Sequence, residues 1–205
     1  MTEAILSKQD HLTAIENRRS HYAISNEQVI SDERLQQIVT HAVKHTPSSF
    51  NSQSGRVVVL LGEQHSKLWE ITTETLRKIV PADNFDATQQ KMNGFAAGYG
   101  TILFFEDQAV IENLQEQFSL YKDNFPIWSL QSSGMLQHVI WTALDSEGYG
   151  ASLQHYNPLI DDEVKQQWNL SNSWKLLAQM PFGKKLTTPG EKQFQPIEER
   201  LKIIK

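Results

Sequence analysis

Two short runs with almost no polar side chains constrain this chain more than anything else in it. Val57-Val-Val-Leu-Leu61 is apolar throughout, largely β-branched, and bounded by Gly55 and Gly62. Thr101-Ile-Leu-Phe-Phe105 follows Gly98-Tyr99-Gly100. Continuous apolar runs of this length between glycines are the pattern of strands covered on both faces. Both therefore need helices packed above and below them.

The helical patterns are present. The spacing predicts a first helix over about 6–17, with Ile5, Leu12 and Ile15 on one side. A second starts after Ser31, a suitable N-cap, with Asp32 and Glu33 in the positive first turn. Leu35, Ile38, Val39, Ala42 and Val43 keep its period, and Pro47 stops it. Further helices are expected at about 64–79 and 84–97. An irregular, aromatic-rich helical stretch covers 107–128, and a strong helix starts at Ser132 with Met135, Leu136, Val139, Ile140, Ala143 and Leu144 on one stripe. A short strand at 151–153, a short helix near 160–168 and a strand near 174–180 complete the reading. From 183 to 196 there are two prolines, Lys184, Lys185 and Lys192, and no clear core face; apolar spacing returns at Ile197.

At 205 residues, with 39% hydrophobic and 21% charged side chains, the chain is expected to form one domain with a full core. The net charge of −5 argues against a general nucleic-acid binder. With no cysteine there is no disulfide framework, thiolate metal site or thiol nucleophile. The start of the chain lacks the basic, then apolar, pattern of a signal peptide, and no stretch approaches the ~20 apolar residues that span a bilayer. A soluble, cytoplasmic protein is the expectation.

Familiar catalytic constellations are missing. There is no Gly-x-Ser-x-Gly elbow, no Gly-x-Gly-x-x-Gly and no P-loop. His41 and His45 stand one helical turn apart, but no third ligand accompanies them, so a plain helix surface and no metal site is expected. Three weaker signals remain. Arg18-Arg19-Ser20, just past a helix, offers two guanidiniums and a hydroxyl that could clasp a phosphate, or a solvated basic helix end. The loop Pro47-Ser48-Ser49-Phe50-Asn51-Ser52-Gln53 is dense in small polar groups between a helix and a buried strand. Gln154-His155-Tyr156-Asn157-Pro158 follows a short strand, where backbone amides can face a ligand.

Taken in order, these signals resemble the nitroreductase-like flavoproteins, which bind FMN and take electrons from NADH or NADPH. Arg18-Arg19-Ser20 is similar to that family's N-terminal phosphate clasp, and the 47–53 loop to its Pro-Ser-Ser-x-Asn-x-Gln segment. Residues 95–107 and 151–158 are similar to a branch of small bacterial and fungal nitroreductases. The resemblance implies an α+β, three-layer fold: a mainly antiparallel or mixed sheet flanked by helices, with a C-terminal arm, about 183–205, exchanged across a homodimer. It implies that Arg18, Ser20 and Lys192 hold the FMN phosphate, with Arg19 along the ribityl chain or the ring edge. Pro47, Ser48, Ser49 and Asn51 would reach the flavin from the partner subunit. Leu153, Gln154 and His155 would border the isoalloxazine, one backbone N–H facing N5, and Lys91 would touch the pyrimidine edge. Tyr22 stands where many relatives carry a cation near N1 and O2, and Ser54-Gly55 replaces their Pro-Trp.

The resemblance further implies ping-pong transfer through flavin N5 to nitroaromatic or quinone acceptors, with no catalytic side chain. Phe118, Tyr121, Phe125 and Trp128 would line a lid over flat substrates, or else serve as core. A flavin-binding sensor or carrier on the same fold is the alternative, and a helical interaction protein with chance motifs is the third.

Overall fold

The computed structural model describes residues 10–205. The expected first helix begins partly outside them; its described part, α1, is His11–Asn17, capped by Asp10, whose carboxylate accepts from the amides of Leu12 and Thr13. The other helices are α2 (Asp32–His45), α3 (Gly62–Arg77), α4 (Phe85–Ala96), α5 (Gln108–Gln117), α6 (Phe125–Ser146) and α7 (Asp161–Gln167). The strands are β1 (Ile24–Ser25), β2 (Gly55–Leu61), β3 (Gly100–Asp107), β4 (Tyr149–Ala151) and β5 (Trp174–Lys185). Ser31 caps α2 as its sequence predicts, its hydroxyl accepting from the Arg34 amide at 3.2 Å.

All pairings are antiparallel, in the order β1-β5-β3-β2 with β4 also on β5. The seven helices and five strands among the described residues form an α+β fold. β3 is buried along its whole length except at Asp107. Because successive side chains point to opposite faces, it serves two cores at once. Ile102 and Phe104 pack with Leu136, Ile140 and Leu144 of α6 and with Leu35 and Val39 of α2. Leu103 and Phe105 pack with Leu68 and Trp69 of α3 and Met92 and Phe95 of α4. The expectation of a fully covered strand holds for β3, whose two faces each meet a helical layer; β2, at the sheet edge, is only half-buried except at Leu60, which leaves its apolar run partly uncovered.

The structure departs from the sequence reading in four places. β1 is two residues long, too short for any period to show. β4 is Tyr149–Ala151 rather than 151–153, and the chain rejoins the sheet at a single bridge between Gln154 and Gln179. β5 does not end at 180 but runs to Lys185, so the segment without a core face begins at Leu186. Its continuation rests on Gly183, where an added Cβ would lie 2.3 Å from the Ser25 carbonyl; only glycine lets β1 lie this close. Finally, α6 starts at Phe125, not Ser132, with Pro126 in the first turn, where a missing N–H costs nothing. Its apolar stripe also divides. Leu136, Ile140 and Leu144 are buried, whereas Met135 and Val139 are 42% and 41% exposed on another side. Among the described residues no helix is long and apolar enough to cross a membrane.

Candidate active site

The Arg18-Arg19-Ser20 segment leaves α1 and is pinned to the sheet. Ser20 bridges Ala151, and the His21 amide donates to the Ala151 carbonyl at 2.9 Å. Arg18 lies across the Trp141 ring, its guanidinium carbon 4.4 Å from the centroid, and its buried Nε has no hydrogen-bond partner. Arg19 Nη2 donates to the Gly190 carbonyl at 2.8 Å, drawing the C-terminal segment back over the clasp. The result is an open cleft of about 600 Å³ lined by Arg18, Arg19, Ser20, Tyr22 and Lys192. Three cations and a hydroxyl thus surround one space, which suits an anion with several oxygens. Tyr22 is 62% exposed at its edge and adds no charge.

Beneath the clasp lies a group that the sequence did not single out. His21 is buried, its Nε2 3.9 Å from the Asp145 carboxylate, which also pairs with Lys185 Nζ at 2.8 Å. Burial, then the Lys185 charge, push the His21 imidazole below its ordinary range, with Asp145 opposing them. Nothing local announces this cluster, because its members come from the β1 approach, the end of α6 and the end of β5.

Past β4 the chain stays extended beside the clasp. The Gln154 amide donates to the Gln179 carbonyl at 2.7 Å and the Tyr156 amide to Gln179 Oε1, also at 2.7 Å. Alternate amides in extended chain face opposite ways. Those of Leu153 and His155 therefore point away from β5, and neither makes a hydrogen bond. The Gln154 side chain is buried and donates to Ser152 Oγ. Lys91 lies outside the clasp cleft; its ammonium sits 5.8 and 6.0 Å from the rings of Phe95 and Tyr156, one residue beyond His155.

The polar loop is held in an unusual shape. Phe50, Asn51 and Gln53 all adopt positive φ, near 57°, 50° and 49°. Ser48 stabilises it, its hydroxyl accepting from the Gln53 amide at 2.9 Å and its carbonyl from the Asn51 amide at 3.0 Å. Arg56 ties it down, donating to the Gln53 carbonyl at 2.6 Å and pairing with Asp107 at 2.9 Å. Pro47 and Ser48 line a cleft that shares no residue with the clasp cleft. Within one chain the loop and the clasp are separate.

The four aromatics do assemble, around a residue of the polar loop that is neither polar nor small. Phe50 lies 4.9 Å from Phe118, 5.3 Å from Phe125, 6.0 Å from Tyr121 and 6.3 Å from Trp128 between ring centroids, nearly parallel to the last. Phe125 is buried and belongs to the core, while Phe50, Phe118 and Tyr121 are exposed. The left-handed backbone at Phe50 is what turns its ring onto this patch. His41 and His45 merely stack on α2, ring centroids 4.4 Å apart; among the described residues no acidic or histidine cluster could hold a metal.

A sheet with a helical layer on each face, an anion-suited cleft and an exposed aromatic patch belong to an α+β fold that, by family, is an oxidoreductase of nitroreductase type. The chain belongs to the nitroreductase family, whose model matches residues 15–184. The nitroreductase CinD of Lactococcus lactis, solved with nicotinic acid and separately with 4-nitrophenol, is similar to it. In the former, 46% of residues are identical over 96% of this chain and 100% of that one, with a TM-score of 0.89. HBN1 of Saccharomyces cerevisiae, described as a nitroreductase, is 34% identical over 188 residues, 90% of this chain and 92% of the relative. A chain from Exiguobacterium sibiricum, solved in complex with FMN, shares the fold at 15% identity, with a TM-score of 0.71 over 97% of this chain and 99% of that one.

Proposed function

We propose that this protein is an FMN-dependent NAD(P)H oxidoreductase, a cytoplasmic homodimer that reduces nitroaromatic or quinone-like acceptors by a ping-pong mechanism. The observation that carries the reading is the convergence of Arg18, Arg19 and Ser20 with Lys192, distant in sequence, on one cleft that is pinned to β4 where Ser20 bridges Ala151. The FMN complex of the Exiguobacterium chain and the 4-nitrophenol complex of CinD support the choice of cofactor and acceptor.

The donors around the cleft support an FMN phosphate there. Arg18 Nε is a buried donor with no partner in the chain, and the guanidinium beside it is preset by Trp141. Arg18, Ser20 and Lys192 would hold the phosphate and Arg19 the adjoining chain, while the Leu153 or His155 amide would meet the ring at N5. Bound there, FMN supplies two-electron hydride chemistry. The chain's own work is to bind, orient and exclude water. Ser48, Ser49 and Asn51 would close the site from the partner subunit, because in one chain they lie away from the clasp. Phe50, Phe118, Tyr121 and Trp128 would offer a flat apolar face on which nicotinamide and acceptor stack in turn.

The test is the absorption spectrum of purified protein before and after anaerobic NADH or NADPH. A flavin spectrum that bleaches, followed by sustained turnover with menadione or a nitroarene, is the expected result. A colourless protein that cannot be loaded with FMN refutes it. Tyr22, neutral and exposed where a cation would favour reduced flavin, is the one feature that favours a flavin-binding sensor or carrier instead. Slow bleaching without turnover would decide for that reading.

A further inference from the structure

After β4 the chain keeps sending alternate amides to β5. The Ser152 amide donates to the Pro181 carbonyl at 3.3 Å and the Gln154 amide to the Gln179 carbonyl at 2.7 Å; the Gln179 amide returns to the Gln154 carbonyl at 2.9 Å. In a regular antiparallel ladder the next rung would join Tyr156 to Leu177. Leu177, however, drops out of the β3–β5 register, where Phe104 pairs with Ala178 and Phe105 already with Leu176. A bulge of this kind bends its strand and breaks the ladder locally. The Tyr156 amide turns instead to the Gln179 side chain, whose Oε1 accepts it at 2.7 Å, while Gln179 Nε2 donates to Asn157 Oδ1 at 3.4 Å.

Gln179 is 0% exposed and stands opposite Leu103 in the sheet. A primary amide in such a place is costly unless its oxygen and its nitrogen are both used. Both go to the stretch after β4, so the side chain replaces the rung that the bulge removes. The consequence falls on one residue. Leu153 lies between two backbone rungs, at Ser152 and Gln154, and its direction is set without Gln179. His155 lies between the Gln154 rung and the Tyr156 amide, so its own amide faces away from β5 only while Gln179 holds Tyr156. That outward amide has no partner in the chain.

We infer that Gln179 is a positioning residue: through Tyr156 it aims the His155 amide at the flavin, and so sets the balance between oxidised and reduced cofactor. This rests on the FMN site proposed above and narrows its ring contact to one amide. An amide donor at N5 favours the oxidised ring, whose N5 accepts, over the reduced ring, whose N5 carries a hydrogen.

The test uses FMN-loaded Gln179→Met, which keeps the length of the side chain without its amide, with two readings. Residue-resolved hydrogen exchange should show the Tyr156 amide about tenfold faster than in the wild type, with the Gln154 amide, held by backbone, unchanged. The flavin midpoint potential should rise by about 10–30 mV. That corresponds to about twofold to tenfold in the ratio of reduced to oxidised affinity, the span of one neutral hydrogen bond at about 30 mV per tenfold for two electrons. Thr101→Val is the control. It deprives Trp69 Nε1 and His65 Nδ1 of a buried partner and should lower the urea midpoint while moving neither reading. An unchanged or lowered potential in Gln179→Met, or an equal rise in Thr101→Val, would overturn the inference. Should Gln179→Met misfold by circular dichroism, the wild type decides: Tyr156 must be protected before FMN is added, and His155 only after. Equal protection of His155 with and without FMN would overturn it. A wild type that takes up no FMN would instead defeat the flavoprotein reading, and this role with it.

Discussion

Replacing Arg18 by alanine tests the anion cleft at the point where its geometry is best defined. The side chain is half-buried, stacked on Trp141 at 4.4 Å, and its Nε is an unused buried donor. Its backbone amide caps α1 on the Ala14 carbonyl and is untouched by the change, so the helix end survives. A charge-assisted hydrogen bond contributes about 1.5–3 kcal/mol. At about 1.4 kcal/mol per tenfold, removing it weakens FMN binding by about 10- to 150-fold. The cleft is open to water and Arg19 and Lys192 remain, which places the expected loss in the lower half of that range. Riboflavin lacks the phosphate and should bind Arg18→Ala as it binds the wild type. The assay is quenching of flavin fluorescence on titration with each ligand, at two salt concentrations. Trp141→Leu should show a smaller version of the same selectivity, since a cation–π contact contributes about 0.5–2 kcal/mol, and Trp141→Phe should restore most of it. Equal losses for FMN and riboflavin would mean that Arg18 supports the fold rather than the phosphate, and the reasoning would fail.

Other changes probe other parts of the molecule. Phe50→Ala should raise the KM of aromatic acceptors about 2- to 10-fold, as loss of one aromatic pairing predicts, while FMN affinity stays unchanged; steady-state kinetics and flavin titration separate the two. Tyr22→Arg should raise the flavin midpoint potential by about 20 mV, if an exposed cation contributes about 1 kcal/mol to the reduced form; a spectroelectrochemical titration reads it, and an unchanged potential would place Tyr22 away from the ring. Gly183→Ala, whose Cβ would fall 2.3 Å from the Ser25 carbonyl, should lower stability by about 3 kcal/mol or more, seen as a lower urea midpoint. His65 sits between Thr101 Oγ1 at 2.9 Å and the Ala96 carbonyl at 3.2 Å, and burial depresses its imidazole below the ordinary 6.5. The unfolded chain then takes up a proton that the folded one refuses, so stability is full above pH 6.5 and falls as the pH drops below it, by up to about 1.4 kcal/mol per unit for one proton. His65→Gln should flatten that part of the urea-stability profile, and an equally steep profile would remove His65 as its cause.

Much of the fold was legible because the signals are local. The runs at 57–61 and 101–105 are apolar on both faces, and β3 is indeed buried on both, between the α2/α6 and α3/α4 layers. Ser31 and Pro47 mark the ends of α2 through capping and a missing amide, effects that act within one turn. Boundaries failed where a partner sets them. β1 exists only because Lys184 and Lys185 pair with it, and β5 continues past 180 only because Gly183 lets Ser25 approach. The start of α6 carries no such local signal, because its first turns pack their aromatics on Phe50, outside the 3.6-residue stripe that reveals a helix over a core.

The candidate site divides in the same way. By itself the sequence marked the short segments proposed to carry the chemistry, the Arg18-Arg19-Ser20 cluster, the 47–53 loop and the stretch after β4, because each concentrates its groups within a few residues. Only the tertiary structure decided how they meet. It set Lys192 beside Arg18, put Phe50 among aromatics from α5 to α6, and placed His21 with Asp145 and Lys185. It also separated loop from clasp within one chain and turned the Gln179 side chain onto the Tyr156 amide. Such pairings follow from strand register and helix packing between residues far apart in the chain, and a local pattern of side chains carries no record of them.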